Sequence, residues 1–332
     1  MHKYRPSWLA AVVIAATGAS GALADTNQTY DPLIVSAQFK AATLELVVSD
    51  ATRQRDIPLR LYLPAEKKPA PVVLFSHGLG GSRNISPFLG EHWAARGYVA
   101  VFLQHPGSDT GVWQDTPLPQ RMDAMREAAS LSNFLLRVKD VSTTLDQLAR
   151  WNKSRDHALA GRLDLQHIGM SGHSFGAVTT QAVSGQRAPV GKLTFTDTRI
   201  KAAIAFSPSR PVVGDPQHVF GNVAIPWLLM TGTKDVAPIG HADVPARLAV
   251  YPALPPGGKY EVVLDKAEHS AFTDRALPGD KEKRNPNHHR VMLALSTAFW
   301  DAYLRHDVAA QAWLDGEGPR TVLEPNDRWQ HK

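Results

Sequence analysis

The chain has 332 residues, 43% hydrophobic and 20% charged, a balance that suits one large globular domain. It contains no cysteine, which excludes disulfides, a thiol nucleophile and a lipidated cysteine. The formal charge of +5 is spread along the chain without a long Lys/Arg block, which argues against nucleic-acid binding.

The first residues, MHKYRPSWLAAVVIAATGASGALAD, combine a basic start, a short apolar stretch and the ending Ala22-Leu23-Ala24. This succession predicts a signal peptide over 1–24, cleaved after Ala24, and a secreted or periplasmic mature domain over 25–332. A retained membrane anchor is the competing reading. Thr17, Gly18 and Ser20 interrupt the apolar stretch, and no later segment is long and apolar enough to span a bilayer, so stable membrane insertion is not expected.

Beyond it, strands alternate with helices, which predicts an α/β fold with a mostly parallel central sheet covered on both faces. Leu44, Leu46 and Val48 alternate, as do Ile57, Leu59, Leu61 and Leu63, so the domain opens as an antiparallel hairpin. The runs Val72–Phe75 and Val99–Leu103 read as strands buried on both faces, separated by a helix around 87–96. Residues 105–137 read as an insertion, a polar loop that turns helical around Met122, Met125 and Ala129. Asp140 is expected to cap a further helix with Val141, Leu145 and Leu148 on one face. Strands follow at Ile168–Met170, Ala202–Phe206, Trp227–Met230 and Tyr260–Leu264, the last expected. A final helix carries Val291, Leu295, Phe299 and Ala302, and the tail from Gly316 is polar.

Residues 167–178 read HIGMSGHSFGAV. A strand, then Gly172-His173-Ser174-Phe175-Gly176, then a helix is the nucleophile-elbow pattern, with Ser174 at the carboxyl edge of the sheet. The bare pattern also describes an ordinary glycine-rich turn. What favours chemistry is the rest of the chain. A serine hydroxyl needs a base, and in this arrangement the acid and then the histidine come later in sequence. Asp235 follows the strand WLLM in TGTKD, and His269 follows EVVL in DKAEHSAF, each just past a strand's carboxyl end. Asp265 and Glu268 are rival acids, but nearness in sequence does not orient a ring. An oxyanion hole is also required. Its expected donors are the backbone N–H of Phe175 and that of Leu79, in the loop Ser76-His77-Gly78-Leu79-Gly80-Gly81, where His77 is expected to tie the loop together.

The set SHGLGG, HPGSD, GHSFGA, TGTKD and EHSAF, in this order over roughly residues 40–305, resembles the α/β-hydrolase superfamily. It is similar to bacterial predicted dienelactone hydrolases and the related platelet-activating-factor acetylhydrolases. The resemblance implies an α/β-hydrolase fold with a short helical insertion and a serine enzyme cleaving carboxylic esters. Dienelactone hydrolases proper use a cysteine nucleophile, which this chain lacks. The neighbouring cutinase branch carries G-x-S-M-G-G where this chain has GHSFGA.

Trp113 and His105 are candidate substrate contacts in the insertion, each with a competing role in packing or loop structure. His288 and His289 are adjacent, which is not the spacing of a helical metal pair, and a cap or surface role is expected of them. Neither metal nor cofactor is required. Specificity is expected to lie in 105–137, 183–200 and 209–222. The polar opening of the insertion favours small or short-chain esters over long triglycerides. The alternatives are a serine peptidase of the same fold, or a catalytically silent binding protein of that fold. The mature chain is short for the propeller or large cap of such peptidases, and silent relatives typically lack a triad member. Oligomeric state is left open.

Overall fold

The computed structural model describes residues 1–2, 30–240, 242–277 and 279–332. The chain divides into Met1–Tyr30 and Asp31–Lys332, and the fold below is that of the second unit. Residues 3–24 of the predicted signal peptide lie outside the described residues.

The strands are β1 (Ala42–Asp50), β2 (Arg55–Leu63), β3 (Ala70–Ser76), β4 (Val99–Leu103), β5 (Leu163–His173), β6 (Ile200–Phe206), β7 (Trp227–Lys234), β8 (Lys259–Glu268) and β9 (Arg328–His331). The helices are α1 (Pro87–Ala95), α2 (Arg121–Ala128), α3 (Leu131–Lys153), α4 (Phe175–Val183) and α5 (Pro216–Phe220). They continue with α6 (Val244–Leu248), α7 (Val250–Ala253), α8 (Pro286–Leu304) and α9 (Val308–Asp315). All described strands join one sheet in the order β1-β2-β4-β3-β5-β6-β7-β8-β9. The run from β4 to β8 is parallel, while β1, β2 and β9 are antiparallel to their neighbours. This is the α/β-hydrolase type of fold.

Period-two patterning sets the layers. Val72, Leu74, Val99 and Val101 pack with Val141, Leu145 and Leu148 of α3 on one face. Their neighbours Phe75 and Phe102 stack on the other face, 4.7 Å between centroids, where Trp93 of α1 meets Trp300 of α8 edge-on. The order reverses direction at β3, which has β4 on one side and β5 on the other. Chains leaving β3 and β5 depart from one another there, at the strands' carboxyl ends, the position favoured for ligands in open α/β sheets.

The expected antiparallel hairpin forms, with Leu46 opposite Leu59 and Val48 opposite Ile57. Three expectations are corrected. Asp140 caps no helix: α3 begins nine residues earlier, where the Ser130 hydroxyl accepts from the Asn133 N–H, and Asp140 is buried in its middle. The boundary drawn at residue 137 therefore falls inside one continuous helix. Nor does Tyr260–Leu264 belong to the last strand. The polar tail returns as β9, pairing Trp329 with Val262 and stacking it on Tyr260 at 5.6 Å.

Candidate active site

Ser174 sits between β5 and α4, capping the helix with φ 57° and ψ −116°, a positive-φ conformation unfavourable for a serine. Close packing holds it there. A Cβ on Gly176 would lie 1.9 Å from the Ser76 carbonyl oxygen, and one on Gly172 2.4 Å from the Gly176 oxygen. Only glycine fits either position, so the turn is pressed against the end of β3 and the strain at Ser174 is imposed by its surroundings.

The Ser174 hydroxyl lies 2.9 Å from His269 Nε2, and His269 Nδ1 lies 2.7 Å from Asp235 Oδ1. Ser174 is half-buried, whereas Asp235 and His269 are buried. The other Asp235 oxygen accepts from the Thr231 hydroxyl at 2.8 Å. The buried Arg247 places Nε 2.8 Å from Asp235 Oδ1 and Nη2 3.1 Å from His269 Nδ1. Burial alone would raise the Asp235 carboxyl. The hydrogen bond from His269, its charge and the Arg247 guanidinium outweigh that and hold it below the ordinary range. His173 aligns the ring from behind, since its Nε2 lies 3.0 Å from the His269 carbonyl oxygen and the two rings are 4.7 Å apart. Burial keeps His173 neutral, well below the ordinary histidine value.

The loop after β3 lies against the serine: a Cβ on Gly78 would sit 3.4 Å from Ser174 Cβ. Among the described residues, no hydrogen-bond acceptor is found for the N–H of Leu79, or for that of Phe175, the first residue of α4. The insertion holds this loop from outside. Gly80 donates its N–H to the Ser108 carbonyl, and the half-buried Trp113 donates its indole N–H to the Gly80 carbonyl at 2.8 Å.

Behind the loop lies a second array of the same residue types. Ser76 Oγ is 2.9 Å from His105 Nε2, and His105 Nδ1 is 3.0 Å from Asp140 Oδ2, with all three side chains fully buried. His105 is thus corrected as a substrate contact: both ring nitrogens are engaged and the ring is sealed. Its backbone N–H donates to His77 Nε2, whose Nδ1 reaches the Gly78 carbonyl, so His77 does tie the loop. Asp140 also receives Arg53 and the fork of Arg55, each contact at 2.8 Å. Burial raises Asp140, but the hydrogen bonds from His105 and then Arg55, with their charges, prevail and hold it at about 2, while burial pulls His105 down to about 4.

Of the residues expected from the sequence, the structure brings Ser174, Asp235 and His269 within hydrogen-bond reach of one another. Asp265 and Glu268 serve elsewhere, the former accepting from the Thr233 hydroxyl and the latter from backbone N–H groups of 281 and 282. His288 and His289 each contact a backbone carbonyl oxygen, of Asp265 and Thr273. Thr231, His173 and Arg247 were missed. The first two stand inside quoted motifs, TGTKD and GHSFGA, whereas Arg247 carries no sequence signal.

A family model described as platelet-activating factor acetylhydrolase, isoform II, matches residues 35–111. A platelet-activating factor acetylhydrolase from Cavia porcellus is 23% identical over 171 residues, covering 45% of this chain and 37% of that protein. The chain thus matches well under half of that relative's length. The family match takes in β1 to β4 and the loop 76–81 but ends before Ser174, so the geometry above stands on the structure alone. At the coarse level the likeness is to serine hydrolases acting on esters.

Proposed function

We propose, from the premise of an α/β-hydrolase similar to platelet-activating-factor acetylhydrolases, that the chain is an exported carboxylic-ester hydrolase working through an acyl-enzyme. The observation that carries this reading is the line Ser174–His269–Asp235, at 2.9 and 2.7 Å, set on a positive-φ turn beside two unengaged backbone N–H groups. His269 Nε2 takes the proton as Ser174 Oγ attacks the ester carbonyl. The N–H groups of Leu79 and Phe175 receive the oxyanion, and His269 then protonates the departing alkoxide. Water, deprotonated by the same nitrogen, attacks the acyl-serine and releases the acid and the free serine. Asp235 holds the ring in the tautomer that leaves Nε2 free to accept and balances the imidazolium charge.

Short acyl groups suit the insertion, which is polar in its opening half and hydrogen-bonded down onto the loop 76–81. The acetyl group in the relative's name points the same way. Export rests on the sequence of residues 1–24.

A fluorophosphonate probe followed by peptide mapping tests the reading. Labelling is expected at Ser174 and lost in Ser174→Ala, with hydrolysis of p-nitrophenyl esters strongest from acetate to hexanoate. A folded protein that does not label would overturn it. A peak at palmitate would make the enzyme a lipase, and cleavage of amides without esters a peptidase. Recovery of mature protein beginning near Asp25 from the native host is the outcome expected for export.

A further inference from the structure

Arg137, on α3, is fully buried and forms no ion pair among the described residues. A cation in such a place is costly, and a similar-sized apolar side chain would ordinarily be more stable. Burial pulls its guanidinium down to about 9, so it still carries its charge at neutral pH.

The positions of its donors explain its presence. Nη2 donates to the His77 carbonyl and, at 3.2 Å, to the Ser76 hydroxyl. Nη1 donates to Ser108 Oγ at 2.9 Å, and Nε to Thr179 Oγ1 at 3.2 Å. The guanidinium carbon lies 4.6 Å from the centre of the Phe175 ring, a cation–π distance. Each contact lands on a segment that holds one of the two unengaged N–H groups or is hydrogen-bonded to one that does. His77 begins the peptides leading to Leu79, and Ser108 supplies the carbonyl that anchors Gly80. Phe175 bears the second N–H itself, and Thr179 lies one turn further along α4, bonded to the Phe175 carbonyl. One planar group thus spans the end of β3, the insertion and α4, and adds a shared brace to the separate contacts that join them in pairs.

We infer that Arg137 is a positioning residue for the oxyanion hole, fixing the Leu79 and Phe175 N–H groups relative to each other from behind. The inference rests on the ester-hydrolase reading. Two donors on separate segments stabilise a tetrahedral oxyanion only at a defined separation, and that benefit exists in the transition state and is absent from the bound ester. Removing the brace therefore lowers kcat and leaves KM little changed.

The test compares wild type, Arg137→Met and Arg137→Lys, with p-nitrophenyl acetate turnover divided by active sites titrated with a fluorophosphonate. Arg137→Met should lose about 10- to 100-fold in kcat per titrated site, with KM within about threefold. A trifluoromethyl ketone, which forms a tetrahedral adduct, should lose affinity by a similar factor. Arg137→Lys should not restore kcat, because one ammonium cannot span four acceptors on three segments. If Arg137→Met does not fold, Ser108→Ala removes one acceptor and should lower kcat several-fold at constant KM. Unchanged kcat per site in Arg137→Met or Ser108→Ala, or full rescue by lysine, overturns the inference while wild-type activity stands. A wild type that neither labels nor hydrolyses esters overturns the hydrolase reading, and this one with it.

Discussion

Ser174–His269–Asp235 and Ser76–His105–Asp140 are two serine–histidine–aspartate arrays in one molecule, with nearly the same spacing: 2.9 and 2.7 Å in the first, 2.9 and 3.0 Å in the second. Hydrogen-bond geometry therefore does not distinguish them. Access does: Ser174 is half-buried on a turn past the carboxyl end of β5, while Ser76 closes a central strand and is fully buried. So does what faces the oxygen. Ser174 stands beside unengaged N–H groups, whereas the Ser76 oxygen already receives Arg137. Charge differs as well, since Asp235 faces one arginine and Asp140 two. Such an array becomes reactive only where a carbonyl can approach and its developing charge can be received; sealed, the same three residues are a strut.

The sharpest way to break this contrast is to exchange the serines' fates. Ser174→Ala should lose about 10⁵-fold or more in p-nitrophenyl acetate turnover, whereas Ser76→Ala, measured per titrated site, should stay within about tenfold of wild type. Comparable losses would make the two arrays functionally equivalent.

The acids should separate along a different axis. Asp235→Asn should lower kcat about 10⁴-fold, because the ring loses its tautomer and its counter-charge. Asp140→Asn leaves Arg53 and Arg55 without their buried carboxylate and should cost on the order of 3–5 kcal/mol of stability, read by denaturant titration, with kcat per site much less affected.

Acid should act through the buried histidines of both sides. His105 is pulled by burial to about 4, and His77 and His173 lie well below the ordinary 6.5. With folded pKa values below the unfolded ones, the unfolded chain takes up protons first, so stability is full above pH 6.5 and falls as pH drops towards 4. His105 alone contributes on the order of 3 kcal/mol across that window. Asp140, held at about 2, loses its share only as pH falls below the ordinary 3.8. Melting curves from pH 7.5 to 4.5 should show a steady decline that His105→Gln flattens, and a Tm constant over that range would contradict the assignment.

The smallest effect concerns the insertion. Trp113→Phe removes the indole donor to the Gly80 carbonyl while keeping an aromatic ring, and should cost about 1 kcal/mol and lower kcat a few-fold. A large fall in kcat at constant stability would instead point to direct substrate contact.

What was legible in the sequence follows the same division. Val72–Phe75 and Val99–Leu103 announce themselves as strands because burial on both faces demands continuous apolar runs. The elbow is legible because close approach demands glycine at 172 and 176. Asp235 and His269 follow from strand ends and chain order. The sealed array was not legible. Asp140 read as a cap because Val141, Leu145 and Leu148 follow it, yet its partners Arg53 and Arg55 lie far away in sequence, and no local period connects them. Arg137 and Arg247 look like surface charges until the fold closes over them. Strand β9 has Trp329 as its one apolar residue, because its pairing is a matter of backbone and one stacked ring.

That last strand has a consequence for the molecule's behaviour among its neighbours. Parallel β8 would otherwise turn a row of unpaired N–H and C=O groups outward, a template on which another chain can add itself. Strand β9, with Arg328 and His331 at its ends, covers Tyr260–Val263 and presents a short, polar rim in place of an adhesive one. The tail thus works as a selvage: fraying it would make the protein prone to stick to its own copies while the Ser174–His269–Asp235 line was still intact.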